Sequence, residues 1–199
     1  MAMPPVAGHA LVDGNDAIYQ RRPMIIRCAR ETDLNVIREV IETAFSDEEN
    51  KVIMELVADL SGETTHPPIT SLVAEAENQI VGYVSYSPIF LRTDPSMVGY
   101  ILAPLAVAPK HQKKGVGAKL IKNGIDRLTR DGADCLLVYG DPTYYSRFGF
   151  REEIGRPFVP PYPLQYPFGW AGMILSGAYL PEEPTPFACV SALSKPELW

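Results

Sequence analysis

The segment from Gly99 to Tyr139 constrains the fold more than any other. It opens on an almost unbroken apolar run, GYILAPLAVA, and continues through the polar loop PKHQKKGVG. It then enters a stretch where Val116, Leu120, Ile121, Ile125 and Leu128 recur at helical spacing. Asp131-Gly132 ends that helix, with glycine supplying the left-handed residue, and ADCLLVY follows as a strand with almost no alternation, the pattern of a strand covered on both faces. Strand, helix and strand in this order predict a parallel pair with a right-handed crossover. Pro104 interrupts the first strand. Proline cannot donate to a ladder, so it marks an edge or a bulge. A bulge here splays the strand from a neighbour and leaves the N–H groups of Leu105, Ala106 and Val107 in need of partners.

Around this unit the chain reads as mixed α/β. Met24–Ala29 predicts a strand. Thr32 or Asp33 caps a helix to about Phe45, with Leu34, Ile37, Val40, Ile41 and Ala44 on one face, and a second helix runs from about Asp47 to Leu60. Ser71–Glu75 and Ile80–Tyr86 predict a hairpin turning at Glu77-Asn78. Asp141 caps a short helix with Pro142 at its first position, and Gly149 ends it. Arg156 to Pro167 carries five prolines among aromatics and reads as an extended segment, followed by strands near Gly172–Gly177 and Phe187–Leu193. The expected division is a flexible arm over residues 1–23 and one domain over 24–199. Its cofactor-binding half spans about 24–155, and the proline-rich segment and last strands fill 156–199.

Composition narrows the function classes. The chain of 199 residues is 46% hydrophobic and 21% charged, which is ordinary for a globular protein. No apolar run reaches the roughly 18 residues of a membrane span, and the N-terminus does not read as a secretory signal. Cys28, Cys135 and Cys189 are an odd number, far apart and in apolar settings. They read as buried thiols of a reducing, cytoplasmic compartment rather than as a metal site. A net charge of −6 disfavours nucleic acid as a partner.

The loop Gln112-Lys113-Lys114-Gly115-Val116-Gly117 suits an anion. The first turn of a helix presents unpaired N–H groups and the positive end of the dipole. Gly115 and Gly117 let backbone approach without Cβ atoms in the way, Lys113 and Lys114 add charge, and Gln112 can donate a side-chain N–H. The Walker pattern is absent, and Gly115-Val116-Gly117-Ala118-Lys119-Leu120 lacks the last small residue of the dinucleotide fingerprint.

At these residues the chain resembles the GNAT N-acetyltransferases. LAPLAVAP, KHQKKGVG and AKLIKNGIDRL are similar to the family's strand, Q/R-x-x-G-x-G/A loop and helix. The run from Asp141 to Phe150, DPTYYSRFGF, resembles its aromatic-Tyr-x-x-x-Gly-Phe signature, and Ile25–Phe45 its opening strand and helix. The wording is closest to a bacterial subgroup of unassigned substrate, the YhbS-like proteins. The resemblance covers about residues 24–155. It implies a mostly antiparallel central sheet with a splayed parallel pair and helices on both faces.

It also implies acetyl-CoA as co-substrate, with no metal. The cofactor would lie on Leu105, Ala106 and Val107 and on the loop Gln112, Lys113, Lys114, Gly115, Val116, Gly117 and Ala118. Attack by the amine of a small-molecule or peptide acceptor is direct, in a ternary complex. Tyr145 matches the position of the general acid that protonates the leaving thiolate, and the Leu105 N–H would polarise the acyl oxygen. A homodimer is compatible with this reading. Two other classes stand beside it: an acyl-CoA sensor without turnover, and an O-acyl or acyl-carrier-protein-dependent transferase.

Several residues admit two readings. Tyr145 could be a core aromatic beside Tyr144 and Phe148. His111 reads as a surface residue, and Glu75 and Glu77 as solvated charge. Asp47-Glu48-Glu49 either complements a helix dipole or attracts a cationic acceptor. The general base is open between Tyr100 and Asp141. Tyr162, Tyr166 or Trp170, on or just after the proline-rich segment, either face the acceptor or pack a connection.

Overall fold

A computed structural model describes residues 23–177 and 180–199; the expected arm lies, apart from residue 23, outside them. The first strand, β1 (Ile25–Cys28), leads into α1 (Leu34–Ala44), which buries Ile37, Val40 and Ile41 at helical spacing. Arg27 of β1 binds Asp33 at 2.6 Å, at the start of α1, and Glu75 at 2.8 Å, on the next strand. The guanidinium hydrogen bond holds the Asp33 carboxyl below its usual range, against the desolvation that would raise it. Glu75, expected as solvated charge, is therefore half of an ion pair. α2 (Asp47–Gly62) starts with a capping box in which the Ser46 hydroxyl and the Glu49 carboxylate answer one another. That box and the dipole account for the acidic run; none of its three carboxylates lines a cavity described below.

β2 (Thr70–Ala76) and β3 (Gln79–Leu91) form the expected hairpin. Its two loop residues, Glu77 and Asn78, have φ of 53° and 63°, as a turn matching the strand twist requires. β3 continues five residues beyond the expected Tyr86, through Pro88. Pairing with β2 ends at Tyr86 and pairing with a late strand, β8 (Thr185–Cys189), begins at Ile89. The proline therefore sits in the gap between two partners on one edge, where a missing N–H costs no ladder bond.

β4 (Gly99–Val107), α3 (Val116–Arg130) and β5 (Cys135–Tyr139) follow as expected, and β4 and β5 are parallel. After β5 come α4 (Pro142–Tyr145), the short helix α5 (Glu152–Gly155), β6 (Phe158–Val159), β7 (Trp170–Ile174) and β8. The sheet runs β1-β2-β3-β4-β5-β7, with β8 beside the end of β3 and β6 beside β8. Apart from β4–β5 and β6–β8 every pairing is antiparallel.

Alternation along β3 sorts the core into two layers. Val84 and Tyr86 pack with Leu120, Ile121 and Leu128 of α3 on one face, while Tyr83 packs with Ile37, Val40, Ile41 and Val57 of α1 and α2 on the other. A third cluster joins Leu56 and Leu60 of α2 to Leu137, Trp170, Phe187 and Trp199. Of the three thiols expected to be buried, Cys135 is buried, Cys189 is half-buried and Cys28 is exposed. The edge strand β1 turns Cys28 outward, toward the Arg127 guanidinium at 2.6 Å.

Candidate functional site

β4 and β5 pair only from Gly99–Cys135 to Leu102–Val138. β4 then bulges at Ala103-Pro104: Tyr86 pairs with Leu102, but Val84 already pairs with Leu105. Beyond the bulge β4 follows β3 and leaves β5, so the two parallel strands open as a V. The Ala108 N–H donates to Val81 O at 2.9 Å. Alternation in an antiparallel ladder turns Ala106 the same way and points the N–H groups of Leu105 and Val107 into the V. The need for partners thus falls on two amides rather than three.

One side of the V is a cleft of about 400 Å³ lined by Leu105, Val107, His111, Gln112, Lys113, Gly115, Val116, Gly117, Ala118, Tyr144 and Arg147. Eight of the ten expected cofactor-contacting residues are here. Ala106 is buried on the opposite face with α1, and Lys114 is exposed outside the lining. Gly115 takes the left-handed conformation, φ 82°, as the N-cap of α3, and no side chain caps that helix. Its first-turn N–H groups therefore remain available to an anion. A methyl at Gly117 would run into the Tyr144 hydroxyl. The Gln112 side chain donates to Val107 O at 3.0 Å, tying loop to strand instead of reaching outward.

Sequence reasoning passed over Arg147 and set His111 aside; both line this cleft. Arg147 stacks over the Tyr144 ring at 4.6 Å and donates to Tyr144 O at 3.1 Å, which fixes its guanidinium at the wall. Its spacing from Tyr144, three residues along a short helical segment, was the available signal.

The other side of the V holds an inner pocket of about 210 Å³. It is walled by Phe45, Ile53, Pro104, Leu105, Tyr139, Tyr145, Leu193, Leu198 and Trp199, among others. An outer pocket of about 370 Å³ shares Tyr139, Leu198 and Trp199 with it and adds Asp141, Gln165, Tyr166, Phe168 and Glu197. Leu105 lines both the cleft and the inner pocket, so the two sides of the V meet at that residue.

Tyr145 reaches the inner pocket from α4, which Asp141 caps by accepting the Thr143 N–H at 2.8 Å. Its ring packs edge-on against Tyr144 and Phe150 at 5.1 and 5.7 Å. Gly140 makes room for it: a Cβ there would stand 2.5 Å from the ring. Burial, helped by Tyr144 and Asp141, pushes the phenol above its usual range. Tyr100, one of two candidate bases, lines neither pocket and donates to Pro68 O at 3.2 Å. Asp141 lines the outer pocket. From the proline-rich region, only Gln165, Tyr166 and the residues just after it reach the outer pocket. Tyr162 donates to Ser194 O, and Trp170 is buried, its indole N–H shared between Gly155 O and Phe158 O. Among the described residues no three His, Cys, Asp or Glu side chains gather as a metal site, and no helix is long and apolar enough to cross a membrane.

Known proteins resemble this chain in sequence and fold. The family model of the acetyltransferase (GNAT) domain matches residues 67–152. The N-acetyltransferase YjhQ of Escherichia coli is 37% identical over 136 residues, which is 67% of this chain and 74% of that protein. YhbS of the same organism is 35% identical over 130 residues, 64% and 74% of the two chains. The crystal structure of Escherichia coli YhbS in complex with CoA superposes with a TM-score of 0.74 at 25% identity, covering 86% of this chain and 92% of that one. A GNAT acetyltransferase from Brucella melitensis in complex with acetyl-CoA gives 0.63 at 28% identity, covering 86% and 98%. With its splayed strands, glycine loop and Tyr-bearing helix, the chain belongs to the GNAT N-acetyltransferase family.

Proposed function

We propose that the protein transfers an acetyl group from acetyl-CoA to a primary amine, by direct attack in a ternary complex. The observation that carries this reading is the meeting of two cavities at Leu105. One is a basic, glycine-floored cleft and the other an apolar pocket holding a tyrosine hydroxyl. The cleft fits the cofactor by its own chemistry. Among the described residues Lys113, Arg147 and His111 line it with no carboxylate, and uncapped α3 amides suit a pyrophosphate. The Val107 N–H suits an amide carbonyl of a pantetheine arm, and the Leu105 N–H is left for the acyl end. The complexes of YhbS with CoA and of the Brucella protein with acetyl-CoA support the choice of cofactor.

Acetyl-CoA supplies an acetyl carbon activated as a thioester. The Leu105 N–H holds the acyl oxygen, and its donor geometry matters most as negative charge grows there. The N–C bond forms as the C–S bond breaks. The Tyr145 hydroxyl protonates the departing sulfur, and a phenol is regenerated from solvent. The proton lost by the amine passes to the Asp141 carboxylate through water, Tyr100 being turned away. The products are an acetamide and the free thiol. Thiol release from acetyl-CoA across a panel of amines tests this. Amine-dependent release is expected, and binding of acetyl-CoA with no release for any amine would mark the protein as a sensor.

A further inference from the structure

Resting on the N-acetyltransferase reading, we infer that the acceptor is a primary amine carried on a flat apolar body and lacking a carboxylate. The two sides of the V differ in charge. Among the described residues the cofactor cleft is lined by Lys113, Arg147 and His111 without an acid. In the trough formed by the inner and outer pockets the only charged side chains among the described lining residues are Asp141 and Glu197. The closest basic side chain in sequence to Glu197, Lys195, is engaged with Asp59 at 2.8 Å. An ammonium is drawn to such a mouth, and a substrate carboxylate is repelled from it.

The mouth also carries an aromatic pair. Tyr166 and Phe168 are 54% and 67% exposed, two of the five large apolar side chains left exposed among the described residues, and their rings lie 5.9 Å apart. Exposed neighbouring aromatics beside carboxylates form a surface for a flat, cationic molecule. The backbone fixes them there. The Tyr166 N–H donates to the Tyr139 hydroxyl at 2.7 Å, and the Gly140 N–H to Gly169 O at 2.9 Å. Further in, the walls are Phe45, Ile53, Leu105, Leu193, Leu198 and Trp199, and the polar side-chain groups are two phenol hydroxyls and the Trp199 indole N–H, which is spent on Leu193 O at 2.9 Å. Burial there disfavours an ammonium over a free amine, so the nitrogen reaches Leu105 in the form that attacks. Ammonium capture at the mouth and neutral delivery inside together require an amine at one end and a flat apolar body at the other.

Three amines separate the alternatives: phenethylamine, its carboxylated counterpart phenylalanine, and glucosamine as a polar body of similar size. Binding is measured by calorimetry with and without CoA, and turnover by thiol release. The expected order places phenethylamine at least 10-fold ahead of both others in kcat/KM and in affinity. Phe168→Ala should raise the phenethylamine KM several-fold with the acetyl-CoA KM unchanged, and Glu197→Gln should narrow the gap to phenylalanine. Phenylalanine or glucosamine equal to or ahead of phenethylamine overturns the inference, as does an unchanged phenethylamine KM in Phe168→Ala. Failure to bind acetyl-CoA with phenethylamine still bound overturns the enzymatic reading and leaves the trough standing. Acetyl-CoA binding without phenethylamine binding does the reverse.

Discussion

Tyr145 is held by three neighbours and used by none of them. Tyr144 and Phe150 fix its ring, Gly140 leaves it space, and among the described residues no hydrogen bond perturbs its hydroxyl. Removing that hydroxyl should therefore leave fold and cofactor affinity unchanged. Tyr145→Phe is expected to lower kcat by roughly 10²- to 10⁴-fold, the usual range for a lost proton donor. A wild-type rate in the variant would pass the role to water. The raised phenol pKa has a definite sign in the pH profile. The neutral donor persists above its reference value of about 10, so kcat should show no alkaline fall below that pH. A fall near pH 8–9 that disappears in Tyr145→Phe would contradict it. Gly140→Ala tests positioning by a different route. The added methyl must displace the ring, so kcat should drop by up to about 100-fold while the dissociation constant for CoA holds. An unchanged kcat would mean that the ring's place is not what matters.

At the scale of elements, α3 follows the loop proposed to hold the cofactor and must be seated firmly on the sheet. Tyr86 does this from β3: fully buried, it donates to Leu120 O at 3.2 Å, with its ring against Gly124. Alanine is the better helix former by about 1 kcal/mol, yet a methyl at 124 would overlap the ring end, and overpacking costs about 1–3 kcal/mol. Gly124→Ala should therefore be net destabilising in urea unfolding, and a gain in stability would refute this seating. Local pattern made β4, α3, β5 and the α4 cap legible in the sequence, because strand, loop, helix and turn each signal within a few residues. Pro88 hid the end of β3, since whether a proline is tolerated depends on where two distant partners stop. The trough was not legible. Tyr139, Tyr166 and Glu197 come from separate stretches brought together by the β5–β7 pairing and the packing of Trp199 on Trp170 and Phe187. The same packing buries Trp170, which composition alone left free to face a ligand.

For the whole molecule the decisive property is the opposition of charge across the V, because it separates what each ligand senses. Cofactor binding to the native state should raise the melting temperature. Mass action adds about 2.7 kcal/mol of stability at a ligand concentration of 100 times Kd. The proposed contact is with partly exposed cations, so affinity should weaken as salt rises. Lys113→Glu reverses one charge at the cleft wall, outside the core, and should weaken CoA binding while leaving the amine KM nearly unchanged. Gly117→Glu adds bulk against the Tyr144 hydroxyl and a charge against the pyrophosphate, and should abolish the thermal shift altogether. Unfolding of the ligand-free variants, followed by circular dichroism, separates lost binding from lost fold. If both variants fold and still show the full shift with acetyl-CoA, the glycine loop does not hold the cofactor. The cleft on the α3 side of the V would then have to be given up as its site.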